Sequence, residues 1–190
     1  MAEDRWLIAG LGNPGPQYAG TRHNVGFLCA DELAGRMGVS FRRDSSRAMA
    51  ATGQLAGVPV TLAKPMSFMN ISGGPVAALR GFYKLPPARV LVLHDELDLP
   101  FGTVRLKLGG GDNGHNGLRS VTASLGTRDY HRVRIGIGRP PGRMDPADYV
   151  LRNFSAAERS ELDEILVRAA DAAEVLMVSG LAAAQNEFHC

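Results

Sequence analysis

Val90-Leu91-Val92-Leu93 sets four large apolar residues in a row, the mark of a strand covered on both faces. Such a strand needs a layer above it and a layer below it. The rest of the sequence supplies both. An apolar run over 6–9 stops at Gly10 and reads as a first strand. Residues 24–37 place Val25, Leu28, Cys29, Leu33 and Met37 at helical spacing, with Gly38 as the stop. Strand patterns follow at 48–55 and 58–63, Pro65 breaks the chain, and a helix is expected over 70–84. Residues 104–108 alternate before Gly109-Gly110-Gly111. Leu118, Val121 and Leu125 form a helical stripe, Val133, Ile135 and Ile137 alternate, and a long helix is expected over 156–179. Strands and helices interleave throughout, which predicts the α/β class with a mixed sheet between helices.

The 190 residues predict one domain, and that length can bury a core without disulfides or a structural metal. No apolar stretch approaches the ~20 residues of a membrane span. The opening Met1-Ala2-Glu3-Asp4-Arg5 has none of the pattern of a secretory signal. Cys29 and Cys190 stand far apart and suggest no disulfide framework. A cytoplasmic protein is expected. Residues 1–154 carry 19 basic and 12 acidic residues, whereas 155–190 carry two and seven. That asymmetry leaves room for a basic face toward a polyanion.

Ligands of such sheets bind beyond the carboxyl ends of the strands. Gly10-Leu11-Gly12-Asn13-Pro14-Gly15 spells a dinucleotide fingerprint at one of them. The fingerprint must pass directly into a helix whose free N–H groups hold a pyrophosphate. Pro14 and Pro16 remove two of those donors, and no helical pattern starts before about Asn24, so the fingerprint fails. What the loop offers is a rigid turn bearing Asn13, Tyr18 and His23. His23 stands at the mouth of a helix, and Asp95 closes the apolar strand, so the two make a candidate base and its partner. Asn70 opens a helix, where a capping role competes with a site role. His115 and Asn116 follow the glycine-rich loop 109–114 under the same ambiguity. Histidines and cysteines lack metal-ligand spacing, and no G-x-S-x-G elbow is present, so water is the expected nucleophile. Arg105 and Lys107 share one strand face, as do Arg132 and Arg134.

Taken together, Ile8 to Gly15, Thr21-Arg22-His23-Asn24, Lys64 to Asn70, His94-Asp95-Glu96-Leu97-Asp98 and Gly114-His115-Asn116-Gly117-Leu118 resemble bacterial peptidyl-tRNA hydrolase over essentially the whole chain. The resemblance implies a monomeric three-layer α/β sandwich, one catalytic domain over residues 1–190. It also implies cofactor-free and metal-independent hydrolysis of the ester joining a peptide to the 3′ end of tRNA. By the same resemblance His23 is the base, Asp95 its partner, and Asn13 the residue that tells N-blocked from free aminoacyl substrates. Tyr18, Phe68, Asn70 and Asn116 would contact the acceptor end, with Met69 and His115 lining the same crevice. Arg105, Lys107 and Arg134 would meet the phosphate backbone. Asn113 departs from the glycine common at its position, and Arg105 replaces a frequent lysine. A catalytically inactive RNA-binding member of the same fold is the alternative.

Overall fold

The computed structural model describes residues 4–189; residues 1–3 and Cys190 lie outside the described residues. Seven strands form one sheet: β1 (Trp6–Gly10), β2 (Arg42–Arg43), β3 (Ala48–Leu55), β4 (Val58–Pro65), β5 (Val90–Glu96), β6 (Val104–Leu108) and β7 (His131–Gly136). Their order is β2-β3-β4-β1-β5-β7-β6. The middle four run parallel, β3 and β6 run against them, and β2 pairs antiparallel with β3 at the edge, so the sheet is mixed, as expected.

The apolar run at 90–93 is explained by what covers it. Leu91 and Leu93 join Ile8, Val133 and Ile135 in a core beneath α1 (Val25–Met37), α5 (Ala156–Ser179) and α6 (Leu181–Phe188). Val90 and Val92 join Leu7 and Ala9 in a second core beneath α2 (Gly73–Tyr83) and α3 (Asn116–Leu125). Successive side chains point to opposite faces, and both faces are apolar. This is the three-layer arrangement.

Some boundaries differ from expectation. The helix expected from Asn70 begins at Gly73, and Met69–Ile71 is a separate 3-10 turn. Pro75, with no N–H to give, suits the first turn of α2 and sets the later start. Asn70 therefore caps neither element; it is exposed, and its side chain makes no hydrogen bond among the described residues. β5 runs past Leu93 to Glu96, so Asp95 lies within the strand and not after it. The short α4 (Pro146–Tyr149), α6 and β2 had no expectation. Asp145 caps α4 by accepting from Ala147 N–H, with Pro146 at its first position.

β1 leads to β4 on one side, while β5 lies on its other side, so the chain switches direction at the β1/β5 pair. A crevice forms outside the carboxyl ends of strands at such a point. Glycines bring α1 close to it. A Cβ on Gly10 would run into the Gly26 carbonyl, and one on Gly26 would meet Leu93 O and Leu11 N. Helix α1 thus presses its first turn, and the residues just before it, onto the ends of β1 and β5.

Candidate active site

His23 sits in a 3-10 turn, Arg22–Asn24, that feeds directly into α1. Its Nδ1 is 2.8 Å from Asp95 Oδ2. The other carboxylate oxygen, Oδ1, is 2.8 Å from Nε2 of His115, which precedes α3. One carboxylate, 3% exposed, is therefore held between two imidazoles whose ring centres are 4.9 Å apart. The structure joins His23, Asp95 and His115, three residues far apart in the chain.

The hydrogen bonds assign the tautomers. His115 Nδ1 accepts from the N–H groups of Gly117 and Leu118, at 3.1 and 3.2 Å, and so caps α3. Its lone pair is committed there, which leaves Nε2–H to donate to Asp95. The cap and the site role left open by the sequence are both filled by this one side chain. His94, fully buried behind them, donates Nδ1–H to the Asp95 carbonyl at 2.8 Å. Burial and neighbouring His115 push its pKa well down, so it stays neutral. Among the described residues, His94 Nε2 also lacks a partner but is buried away from the crevice, whereas His23 lines it with a ring nitrogen free of protein partners. With Nδ1–H given to Asp95, its Nε2 lone pair is available to a proton.

The electrostatics agree. Burial would lower the His23 pKa, but the charge of Asp95 and its hydrogen bond outweigh burial and leave it raised. Burial would raise Asp95, yet His23 and His115 hold its carboxyl far below the usual range. Asp95 is a fixed anion against which His23 can become positive. His23, Asp95 and His115 also bring possible metal-ligand atoms within 4.8 Å of one another. The donor set does not suit a cation, because Asp95 already accepts two N–H donors and the His115 lone pair faces α3.

Asn13 is fixed on three sides. Its N–H donates to Asn24 Oδ1 and its carbonyl accepts from Asn24 Nδ2, both at 2.9 Å. Its side-chain Oδ1 accepts from Met69 N–H at 2.7 Å, leaving Nδ2 as the spare donor. Met69 is buried against this contact, while Phe68 is exposed and edge-on to half-buried Tyr18 at 6.4 Å. Asn116, the first residue of α3, is exposed and its amide makes no protein hydrogen bond. A cavity of about 130 Å³ lies between His23, Asp95, His115 and Asn116 on one side and Pro146, Ala147 and Val150 on the other.

The glycine-rich loop is tied at Asn113, which adopts a left-handed φ of 54° suited to glycine or asparagine. Its Nδ2 donates to Glu96 Oε2 at 2.9 Å and Asp98 Oδ2 at 2.6 Å.

The cations do not share one fate. Arg105 pairs with Arg134, and Lys107 with Arg132, across the antiparallel β6/β7 register, which puts all four on one face. Arg132 is 0% exposed and donates to the Gly110, Gly111 and Arg128 carbonyls. It is a loop anchor, and its equivalence with Arg134 in the strand pattern does not hold. Arg134 pairs with Glu96 at 3.1 Å, and Arg105 donates to the Phe188 carbonyl. Lys107 has its pKa lowered by burial and by Arg134 and Arg132. Glu96, Asp98 and Asp112 offset part of this like charge.

Sequence reasoning did not single out Arg22, Asn24 or the 146–150 wall. Asn24 follows His23 directly, and its spacing carries no sign that it grips Asn13 eleven residues earlier. Cys29 is fully buried, with its thiol pushed up to about 12 by burial, so it is not a nucleophile. Cys190 lies outside the described residues. No helix among the described residues is long and apolar enough to cross a membrane.

Comparison with known proteins shows what the whole chain is similar to. The family model described as peptidyl-tRNA hydrolase matches residues 7–190. A peptidyl-tRNA hydrolase of Frankia alni is 64% identical over 184 residues, covering 97% of this chain and 93% of its own. One from Rhodococcus erythropolis is 60% identical and matches over the full length of both chains. The crystal structure of peptidyl-tRNA hydrolase from Acinetobacter baumannii superposes with a TM-score of 0.91 at 37% identity, covering 98% of this chain and 95% of that one.

Proposed function

We infer that this chain, which belongs to the peptidyl-tRNA hydrolase family, hydrolyses peptidyl-tRNA by activating water at His23. The observation that carries the mechanism is the Nδ1–Asp95 contact at 2.8 Å, which leaves His23 Nε2 as the imidazole lone pair that opens into the crevice, whereas the unpartnered Nε2 of His94 is buried. Nε2 takes a proton from water as the water oxygen attacks the ester carbonyl. Asp95 stabilises the imidazolium so formed. Asn70 and Asn116, whose amides make no protein hydrogen bonds, supply donors to the developing oxyanion. When the tetrahedral centre collapses, the ribose oxygen leaves and the proton returns to it from His23. General-base action supplies ~10²–10⁴ in rate and an oxyanion donor on the order of 10²–10³.

Asn13 explains selection for N-blocked substrates. Its spare Nδ2–H meets the amide carbonyl that a peptidyl group has and a free aminoacyl group lacks. Tyr18, Phe68 and Met69 shape the acceptor-end side of the crevice, and His115 holds Asp95 from the far side. Residues 1–190 act as one catalytic domain, a cytoplasmic monomer without a cofactor. The inactive RNA-binding alternative is not favoured, because relatives at 60% and 64% identity are named as hydrolases. Release of peptide from purified peptidyl-tRNA in the absence of nucleotide tests the reading, and no release would overturn it. The same assay is expected to give an unchanged rate in EDTA. Loss on chelation, restored by one divalent ion with tRNA folding intact, would overturn water activation by His23 alone.

The tRNA body binds through Arg105, Lys107 and Arg134, which position it by phosphate contacts without reading bases. Replacing Arg105 and Lys107 with Ala is expected to raise KM for full-length peptidyl-tRNA, whatever its sequence. Each lost contact should reduce the slope of log K against log salt by on the order of 0.7–0.9. A peptide ester on a short CCA fragment should be unaffected. Equal changes on both substrates, or none on either, would remove the assignment.

A further inference from the structure

The residue before the base carries a buried charge beside the crevice, and the reaction as derived gives it no task. Arg22 is 7% exposed. Its Nη2 donates to Glu158 Oε1 at 2.7 Å, with side-chain exposures of 8% and 16% for the pair. Nη1 makes longer contacts to the Tyr149 and Arg152 carbonyls, at 3.4 and 3.5 Å. The guanidinium carbon lies 4.0 Å from the centre of the Tyr149 ring. A buried ion pair of this kind costs desolvation and is weak evidence for a stability role. Arg22 repays attention because of what its partners build.

Glu158 also closes the capping box of α5, whose N-cap is Ser155. Its Oε1 accepts from Ser155 N–H while Ser155 Oγ accepts from Glu158 N–H. Tyr149 ends α4, whose Pro146 and Ala147, with Val150, form the wall of the cavity facing His23. The backbone repeats the link. Arg22 N–H donates to Arg152 O at 3.1 Å and His23 N–H to Val150 O at 2.8 Å, and Thr21 bridges to Asn153. One fork thus ties the start of α5 and the end of α4 to the turn that carries His23. The aim of the imidazole at Asp95 and the position of the opposite wall depend on the same contacts.

We propose that Arg22 is a positioning residue for the reaction, acting through Glu158 and the 149–152 carbonyls to hold His23 on Asp95 and the wall at its working distance. A lysine could not do this, because its three donors sit on one nitrogen, without the planar fork that reaches a carboxylate from Nη2 and two carbonyls from Nη1 while stacking on Tyr149. The proposal rests on His23 being the base. Misplacement by about 1 Å costs up to ~10²-fold in such sites.

The test measures kcat and KM on full-length peptidyl-tRNA for Arg22→Met and Glu158→Gln, with the His23 Nδ1–H proton resonance as a second readout. Glu158→Gln keeps an acceptor for Ser155 N–H and serves if Arg22→Met does not fold. Arg22→Met is expected to lower kcat about 10- to 100-fold with KM within about 2-fold, and to shift or broaden the Nδ1–H signal. Glu158→Gln should do the same more weakly. In a His23→Ala background neither change should lower kcat further, although both should still lower Tm. A folded variant with unchanged kcat and an unmoved Nδ1–H signal would overturn the proposal. So would an equal fold-loss with and without His23, which is the result of a purely structural role. If His23→Ala itself retains activity, it is the base assignment that fails, and the Nδ1–H signal still decides whether Arg22 positions the ring.

Discussion

Replacing His23 with alanine is expected to lower kcat by ~10²–10⁴ while leaving KM close to that of the wild type, because the base acts in the chemical step. No second group can take over. His115 has its lone pair on the first turn of α3, and His94 is buried with its Nδ1–H on a carbonyl. Asn70 and Asn116 can still polarise the ester, so residual activity should persist above the uncatalysed rate. Single-turnover measurements on purified peptidyl-tRNA separate the step from binding. Retention of more than about a tenth of wild-type kcat would contradict the assignment, since even the low end of general-base catalysis exceeds that.

Asp95→Asn is expected to be nearly as damaging and to act differently. An asparagine presents one oxygen and one amide N–H to two imidazoles that both donate. One of the contacts, to His23 Nδ1 or to His115 Nε2, must then break or invert. Loss of the correct imidazole tautomer is costly, and a fall in kcat of ~10²–10⁴ is expected. The pH profile carries the sign. In the wild type the acid limb of kcat/KM reports His23 losing its proton, and its midpoint should lie above the ordinary imidazole value of about 6.5, because Asp95 outweighs burial. In Asp95→Asn the charge, the larger of the two raising causes, vanishes while burial remains, so the midpoint should fall below that value. A midpoint that stays in place would show that Asp95 does not set the protonation of His23.

The fold was largely legible because its strongest signals are local. The run at 90–93 announced a strand between two layers, and Gly38, read as the stop of the first helix, ends α1 in the left-handed conformation. The start of α2 was misplaced because Asn70 is a good cap by type, whereas Pro75 decided where the helix begins. For the site, proximity to strand ends proposed His23 and Asp95, and the resemblance supplied the remaining roles. Spacing could not reveal that His115 caps a helix and grips Asp95 at once. Nor could alternation separate Arg132 from Arg134. It shows that two side chains share a face but not what covers each, and here loop carbonyls bury the first while Glu96 meets the second. Arg22 and Glu158 pair across 136 residues, a contact no local pattern announces.

The central claim is that His23 presents a bare Nε2 to water because Asp95 holds its Nδ1–H. Nitrogen-15 chemical shifts of the ring nitrogens, read by NMR on histidine-labelled protein above the His23 midpoint, test this most directly. The expected result is the Nδ1–H tautomer for His23, with Nε2 unprotonated, and the opposite Nε2–H tautomer for His115. Finding Nε2–H on His23 would contradict it, because the nitrogen facing the crevice would then have no lone pair with which to take a proton.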